Sequence, residues 1–258
     1  MRIIVLMKVV PDTYGDRRLC SETGLTDRST DEQILDEIGE RALEVALSHA
    51  DAAPGTEVTV ISVSPEPSAT VLRKALAMGA DAVVQVSDER LRGADLPATA
   101  EAIAAAVERV GFDLIVAGNA STDGAGGVVP AMVSELLGIP LLSNLISVQI
   151  TDGLVSGTRS AGDESMRTTA ELPAILSVTE AMPDARFPNF KAIMAAKKKP
   201  FDTVTSGDLG IDPQDLTVGR SILLGVAQRP PREAGITLID DGTAADQLAD
   251  FLVKNRLV

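Results

Sequence analysis

The sequence predicts an α/β fold in which a doubly wound, mostly parallel sheet carries helices on both faces. Strand-like runs of Val, Ile and Leu alternate with helix-like segments four times within residues 1–137, as is typical of parallel sheets. The first run, residues 3–10, is apolar throughout except at Lys8 and stops at Pro11, which indicates a strand buried on both faces. With 258 residues, 45% of them hydrophobic, the chain can bury a sizeable core.

The elements of this sheet follow from hydrophobic periodicity. The first four strands are predicted at residues 3–10, 58–63, 82–86 and 114–117. The helices after them are predicted at residues 31–47, starting from Asp31, and at residues 68–78, 98–110 and 128–137.

Further short strands are expected after residue 140. Residues 143–150 and 154–159 flank Thr151-Asp152-Gly153, and an Asp-Gly turn between such runs predicts a hairpin. Residues 168–172 and 174–178 add two more extended runs, some of them antiparallel.

The region after Pro200 is loop-rich and ends in a predicted amphipathic helix at residues 244–254. Long structureless segments are uncommon in compact domains. We therefore predict an α/β domain over residues 1–200 and an extended arm over residues 201–258 that rests on another subunit. A partly disordered tail is the alternative.

Composition excludes several classes of function. The 23 Lys and Arg residues face 37 Asp and Glu residues, a net charge of −14, which disfavours binding to nucleic-acid phosphates. Cys20 is the only cysteine, so an internal disulfide and Cys-cluster metal sites are excluded; it is either an incidental loop residue or a reactive thiol. His49 is the only histidine, and no partner for a catalytic triad is evident.

No targeting signal is expected at the start of the chain. Residues 1–6 lead directly into a strand pattern without a signal-peptide cleavage site. No apolar stretch approaches the roughly 20 residues that span a bilayer. A soluble, cytoplasmic protein is expected.

A glycine-rich loop at residues 118–127 (GNASTDGAGG) follows the fourth strand. Ligands of open α/β sheets bind at the carboxyl ends of the strands, and small residues before a helix let backbone amides approach an anion. The loop lacks the Gly-Lys-Ser/Thr of a P-loop, and Val129 replaces the last glycine of a dinucleotide fingerprint. A nucleotide site and a simple turn both remain open from the loop alone.

A second feature is the basic, apolar segment at residues 186–199 (RFPNFKAIMAAKKK). It concentrates four lysines and an arginine in an acidic chain and intersperses two Phe, an Ile and a Met. This composition indicates a docking segment, in which lysines steer an acidic partner and Phe190 is an apolar anchor. A merely solvated charged face is the alternative.

Taken together, these segments resemble the β subunit of electron transfer flavoproteins over nearly the whole chain. The resemblance rests on Lys8 and Val9 of the opening strand, ALAMGAD at residues 75–81, the loop at 118–127, LPA at 172–174, the segment 186–199, GDLG at 207–210 and PPREAG at 230–235. It implies an adenine nucleotide α-hydrolase-like fold.

The same resemblance implies the function. Such a chain forms a heterodimer with a larger α subunit that holds most of the FAD, and it carries an AMP without redox chemistry. The flavin takes electrons from acyl-CoA and related dehydrogenases and passes them to a quinone-linked oxidoreductase. The chain is then an electron-carrier subunit, not an enzyme, with no catalytic residues and no metal. In relatives that bifurcate electrons, a second FAD replaces the AMP.

Site residues follow by position within the resemblance. The implied AMP contacts are Leu6, Asp36, Glu37, Ile38, Gly39, Val60, Val63, Gly118, Asn119, Ala120, Ser121, Thr122, Asp123, Gly124, Ala125, Gly126, Gly127, Val128 and Val129. The implied docking residues are Arg186, Phe187, Pro188, Asn189, Phe190, Lys191, Ala192, Ile193, Met194 and Ala195.

Three positions depart from the family pattern. Thr13 stands where a Tyr often lies near the flavin, with Tyr14 as an adjacent substitute, and Ile38 replaces an aromatic residue there. Ser160 replaces a carboxylate that tethers the flavin domain in relatives, and Asp163 and Glu164 lie nearby.

Two other functions stay open at this point. One is a stand-alone adenylate-binding sensor of the universal-stress-protein type, which would need neither the arm nor the lysine segment. The other is an enzyme acting on adenylates, for which the lone His and scattered carboxylates supply no evident general base or metal cluster.

Overall fold

A computed structural model describes residues 1–15, 18–28, 32–151, 153–215, 218, 220–227, 229–232 and 234–258. Asp31, Asp152 and Glu233, which belong to the predicted helix, the predicted turn and the PPREAG motif, lie outside these residues. The chain divides into two compact units, Met1–Leu224 and Gly225–Val258.

The strands of the first unit are β1 (Arg2–Leu6), β2 (Val9–Pro11), β3 (Gln33–Leu35), β4 (Glu57–Val63), β5 (Ala82–Val86), β6 (Leu114–Gly118), β7 (Leu141–Thr151), β8 (Leu154–Ala161), β9 (Glu164–Glu171), β10 (Ala174–Val178) and β11 (Phe201–Val204). Its helices are α1 (Glu37–Ala52), α2 (Ala69–Met78), α3 (Leu96–Val110), α4 (Val129–Leu137) and α5 (Phe190–Ala196). The second unit contains α6 (Ala244–Lys254).

Nine of the described strands form one sheet in the order β11-β5-β4-β1-β6-β10-β7-β8-β9. The strands from β11 to β7 run parallel, whereas β7, β8 and β9 form an antiparallel meander. The predicted α/β class and mostly parallel sheet are therefore confirmed. Because β1 pairs with β4 on one side and β6 on the other, the strand order reverses beside β1, where ligands of such sheets bind.

The core lies on both faces of this sheet. Ile3 and Val5 of β1 pack in the same layer as α1 and α2, whereas Ile4 packs in the layer of α3. Alternate side chains of one strand thus enter opposite layers, which explains why the opening run is apolar at almost every position.

That opening run is two strands rather than the one predicted over residues 3–10. The Met7 amide still donates to Ile61 O at 3.0 Å, but Val9–Pro11 leaves the sheet and pairs antiparallel with Gln33–Leu35. Val9 and Val10 are buried there, so hydrophobicity alone could not reveal the break.

The first helix begins at Glu37, not at Asp31, and is the second correction. Asp36 has an extended backbone and caps the helix, while Ile34 and Leu35 belong to β3. An aspartate immediately before the helix is a strong start signal, but the apolar spacing across Ile34 and Leu35 also fits a helix and conceals it.

Later elements match the predictions closely. β5 and α6 have the predicted bounds, and the hairpin of β7 and β8 forms with Thr151 opposite Leu154. One strand was not predicted: β11 pairs parallel with β5 at the edge of the sheet, so the first unit continues past residue 200.

Residues 220 and 221 are also attached to the first unit. The Arg220 guanidinium donates to both carboxylate oxygens of Glu101 on α3, at 2.9 and 2.8 Å, and the Ser221 amide donates to Asp95 at 2.5 Å. None of the described helices is both long and apolar enough to cross a membrane.

Candidate nucleotide site and docking segment

The predicted nucleotide loop lies at the carboxyl ends of β1 and β6, beside the reversal of strand order. Gly118 ends β6 in close contact with α1. A Cβ atom at Gly118 would lie 3.1 Å from Ile38 Cγ2 and 3.3 Å from the Ile38 carbonyl carbon. A side chain at position 118 would therefore push α1 back by a few tenths of an ångström, and glycine lets the first turn of α1 lie this close to the loop.

Asp36 joins the two elements. Its Oδ1 accepts the amides of Ile38 and Gly39 at 3.1 and 3.4 Å. Its Oδ2 accepts the amide and hydroxyl of Thr122 at 2.6 and 2.8 Å. Asp36 is only 2% exposed, so its carboxylate supports the loop from within the protein.

Asp123 fixes the loop from the other side. Its side chain is 3% exposed and accepts Lys8 Nζ at 2.7 Å and Arg28 Nη2 at 3.1 Å. Burial alone would raise the pKa of Asp123, but the hydrogen bond and positive charge of Lys8 outweigh it and hold the pKa below its ordinary value. The carboxylate is therefore ionised and paired at neutral pH.

Lys8 and Arg28 were not predicted as site residues. Lys8 Nζ also donates to Ser121 Oγ at 3.3 Å, and Arg28 donates to Val9 O at 2.8 Å. A signal existed for Lys8, the one charged residue inside an apolar run. Arg28 had none, because it lies in a polar stretch of the sequence where a charged residue does not stand out.

Because the carboxylates of Asp36 and Asp123 are engaged in these hydrogen bonds, the exposed part of the loop is mainly backbone. Residues 124–128 are exposed, and Gly127 has a φ of +67°, a conformation that favours glycine. α4 follows, and its N-cap residue Val128 makes no side-chain cap. Amides of an uncapped first turn lack intrahelical acceptors and attract anions.

Asn119 adds an unsatisfied acceptor to the same loop. Its Oδ1 atom is buried and has no hydrogen-bond donor among the described residues. Since buried acceptors are normally paired, this atom fits a ligand N–H group such as the adenine amino group. The loop thus offers one unpaired acceptor and a set of exposed backbone amides.

The remaining predicted nucleotide contacts are of two kinds. Leu6 and Val63 are half-buried at the ends of β1 and β4. Val60 is fully buried in the core layer of α1 and α2. It therefore offers no surface to a ligand and is a packing residue of the core.

The residues expected near the flavin lie before β3 and at the start of α1. Thr13 Oγ1 donates to Glu37 Oε1 at 3.0 Å, and the Tyr14 side chain is 95% exposed. Ser160, Asp163 and Glu164 lie together at the exposed turn between β8 and β9.

The predicted docking segment contains the short helix α5. The Asn189 side chain caps it by accepting the Ala192 amide at 2.9 Å. Phe187 and Phe190 are 91% and 78% exposed, and Lys191, Lys197 and Lys198 are exposed as well. The segment thus presents apolar and cationic side chains together.

Two other basic residues of this segment face inward. Arg186 donates to Glu44 of α1 from Nε and Nη2, both at 2.8 Å, and to Asp51 at 2.9 Å. Burial would raise the pKa of Glu44, but the hydrogen bonds of Arg186 lower it overall. Lys199 Nζ donates to the carbonyls of Leu76, Gly79 and Ala80 at 3.1, 3.1 and 2.6 Å.

Comparisons with known proteins agree with this architecture. The electron transfer flavoprotein domain family matches residues 23–209. The electron transfer flavoprotein subunit beta of Mycobacterium tuberculosis is 39% identical over 99% of both chains, and that of Mycobacterium leprae is 38% identical over the same share. Subunit CarD of the caffeyl-CoA reductase-Etf complex of Acetobacterium woodii is 31% identical over 98% of this chain and 97% of its own.

These full-length matches do not favour the alternative of a stand-alone adenylate sensor, because each of these relatives is named as a subunit of an electron transfer flavoprotein or of a complex that contains one. This chain therefore belongs to the β-subunit family of the electron transfer flavoproteins, whose members are electron-carrier subunits rather than enzymes.

Proposed function

We propose that this chain forms a heterodimer with an α-type electron transfer flavoprotein subunit, binds AMP in its own nucleotide site and docks acyl-CoA and related dehydrogenases. Electrons pass through FAD held mainly by the α subunit to a quinone-linked oxidoreductase. FAD supplies the electron-accepting ring when bound, and this chain supplies a scaffold and a docking surface. The full-length match to named β subunits carries the proposal.

The AMP part of the proposal rests on the loop at residues 118–129. The amides before and within the first turn of α4 bind the phosphate, because they are uncapped donors at the positive end of a helix. Asn119 accepts a hydrogen bond from the adenine end. Asp36 and Asp123 do not touch the nucleotide, since their oxygens hold the loop.

The docking part rests on α5. An apolar anchor that is 78% exposed in the free chain, Phe190, gains on the order of 2 kcal/mol when a partner pocket buries it. The exposed Lys191, Lys197 and Lys198 accelerate the approach of an acidic partner surface.

The second compact unit, residues 225–258, is the part of the predicted arm (residues 201–258) that we propose to rest on the α subunit. α6 is amphipathic, and none of its residues is buried. Leu248 and Phe251, three residues apart on one face of α6, are 50% and 44% exposed. Such an apolar stripe is stabilised when another surface covers it.

The first test of this function is co-expression with the α subunit, which we expect to give a yellow heterodimer. Its Phe190→Ala variant should be reduced at least about tenfold more slowly by an acyl-CoA dehydrogenase at low protein concentration, because about 2 kcal/mol of anchor burial is lost. The FAD content should be unchanged, and stopped-flow absorbance measures the rate.

Leu154→Ala, which shortens an exposed apolar residue at the β7–β8 hairpin, is the matched control and should be reduced at the wild-type rate. Failure to form a complex with the α subunit would contradict the heterodimer, and a folded complex without flavin would contradict the electron-carrier function. A wild-type reduction rate for Phe190→Ala would contradict the docking role.

A further inference from the structure

The docking segment is fixed at both of its ends by charged side chains. Ahead of α5, Arg186 forms two hydrogen bonds of 2.8 Å with the Glu44 carboxylate, and its own amide donates to the same carboxylate at 3.0 Å. After α5, the Lys199 ammonium group donates to three carbonyls at the end of α2. The segment between these anchors is the one that exposes Phe190.

A third contact strengthens the first anchor. Arg41, one turn before Glu44 on α1, pairs with Asp184 at 2.6 Å and donates to the Met182 carbonyl. One face of α1 therefore holds residues 182–186 with two side chains, the cationic Arg41 and the anionic Glu44. Side chains three residues apart lie on one face of a helix, so the two contacts act together on residues 182–186.

The helix they hold could not keep its position alone. α5 has seven residues, and only Ala196 is buried. Isolated helices shorter than about 12 residues are marginal in water. The orientation of Phe190 must therefore come from the Asn189 cap, the packing of Ala196 and the two anchors.

The basic residues of the segment divide into two groups. Arg186 and Lys199 are half-buried and engaged with Glu44, Asp51 and the carboxyl end of α2. Lys191, Lys197 and Lys198 are exposed around the helix. In a chain of net charge −14, these three lysines form a local cationic surface that selects a partner with carboxylates around an apolar pocket.

We infer that Glu44 is a positioning residue for docking: acting through Arg186, it pre-organises α5, and Lys199 does the same from the other end. This inference rests on the proposed docking function. A pre-formed helix spares the partner the cost of ordering the segment at the moment of binding. Glu44 itself lies on α1 and is not part of the exposed docking surface.

The test compares Glu44→Gln with Glu108→Gln in the purified heterodimer. Both variants remove one negative charge from a helix, and Glu108 is exposed on α3. We expect Glu44→Gln to raise the apparent KM for the dehydrogenase partner about tenfold with kcat unchanged, because only association is impaired. Backbone amides of residues 186–199 should exchange hydrogen faster, whereas Glu108→Gln should leave both quantities unchanged.

Two further variants exclude a simple charge effect and a folding defect. Arg186→Lys keeps the charge but loses the bidentate hydrogen bonds to Glu44, so it should behave like Glu44→Gln. Lys199→Met removes the anchor at the other end of the segment and should raise the same KM. If Glu44→Gln proves unstable, the KM of Lys199→Met tests whether the anchors position α5.

The outcomes separate this inference from the function on which it rests. Unchanged KM and exchange in Glu44→Gln and Lys199→Met, with impaired docking in Phe190→Ala, would overturn the positioning role and leave docking intact. Wild-type docking by Phe190→Ala would overturn the docking function and this inference with it. A fall in kcat or in FAD content in Glu44→Gln would also overturn it, because positioning acts on association alone.

Discussion

The nucleotide loop and the docking segment differ in where their charged residues lie: the carboxylates at the loop are buried, whereas three lysines of the docking segment are exposed. At the loop, two buried carboxylates hold the backbone: Asp36, which caps α1 and is 2% exposed, and Asp123 of the loop itself, whose side chain is 3% exposed. The exposed residues 124–128 present backbone. In the docking segment, Phe190 and three lysines are exposed, while the ion pair that holds them, Arg186 with Glu44, is only partly buried.

This difference fits the two ligands proposed for this chain, a nucleotide at the loop and a protein partner at the docking segment. An exposed carboxylate would repel a phosphate, whereas Asp123 of the loop is turned inward and paired with Lys8 and Arg28. A protein partner instead requires side chains that project, and the holding charges lie behind them. In both regions the charged groups that set the geometry differ from the groups proposed to touch the ligand.

The largest effect on stability is expected from Asp36→Ala, at the residue that ties α1 to the nucleotide loop. The substitution removes the cap of α1 and leaves the Thr122 amide and hydroxyl without their acceptor. The free energy of unfolding should fall by roughly 2–4 kcal/mol, measured by urea denaturation of the heterodimer. Asp36→Ser can keep the cap but is too short for Thr122, and it should lose about half as much; equal losses would show that the tie to Thr122 contributes nothing.

A smaller loss, about 1–3 kcal/mol at pH 7, is expected from Asp123→Asn, because Lys8 and Arg28 lose their anionic partner. The folded-state pKa of Asp123 lies below its ordinary value of 3.8. Its stabilising contribution is therefore present above about pH 4 and is lost as the pH falls through the folded-state pKa.

Denaturation curves of the Asp123→Asn variant and the wild type from pH 7 to pH 3 measure this. The gap in unfolding free energy should shrink as the acid limit is approached. A gap that stays constant across this range would contradict the ionised, paired state of Asp123.

The smallest effect on stability is expected in the docking segment, from Phe190→Ala. Since Phe190 is 78% exposed, the free energy of unfolding should change by less than about 0.5 kcal/mol, although reduction by the dehydrogenase slows. Thermal unfolding of the heterodimer measures the change. A loss comparable to that of Asp36→Ala would mean that Phe190 is a packing residue, and the contrast between the two regions would fail.

The sequence predicted most of the fold where local patterns decide it. β5 and α6 have the predicted bounds, because a compact apolar run and an amphipathic repeat each determine one kind of element. β11 was missed because four residues of mixed polarity carry little signal, and its partner β5 lies more than 100 positions earlier. The start of α1 was misplaced because Ile34 and Leu35 satisfy helical and extended patterns alike.

For the candidate site, the resemblance names positions but does not say what their side chains contact. Asp36 and Asp123 stood among the expected nucleotide contacts, yet their oxygens hold the loop. Arg186 stood among the docking residues, yet its guanidinium faces Glu44, 142 positions away. Pairings of this kind depend on tertiary contacts, which the spacing of residues along the chain does not encode.

The most direct test of the central claim is to identify the nucleotide that acid denaturation releases from the purified heterodimer. Chromatography with mass spectrometry should find one AMP per complex beside one FAD, and the Asp36→Ala complex should release less AMP with FAD unchanged. A complex that releases no adenine nucleotide besides a single FAD would contradict the nucleotide site, and two FAD per complex without AMP would contradict its assignment to AMP.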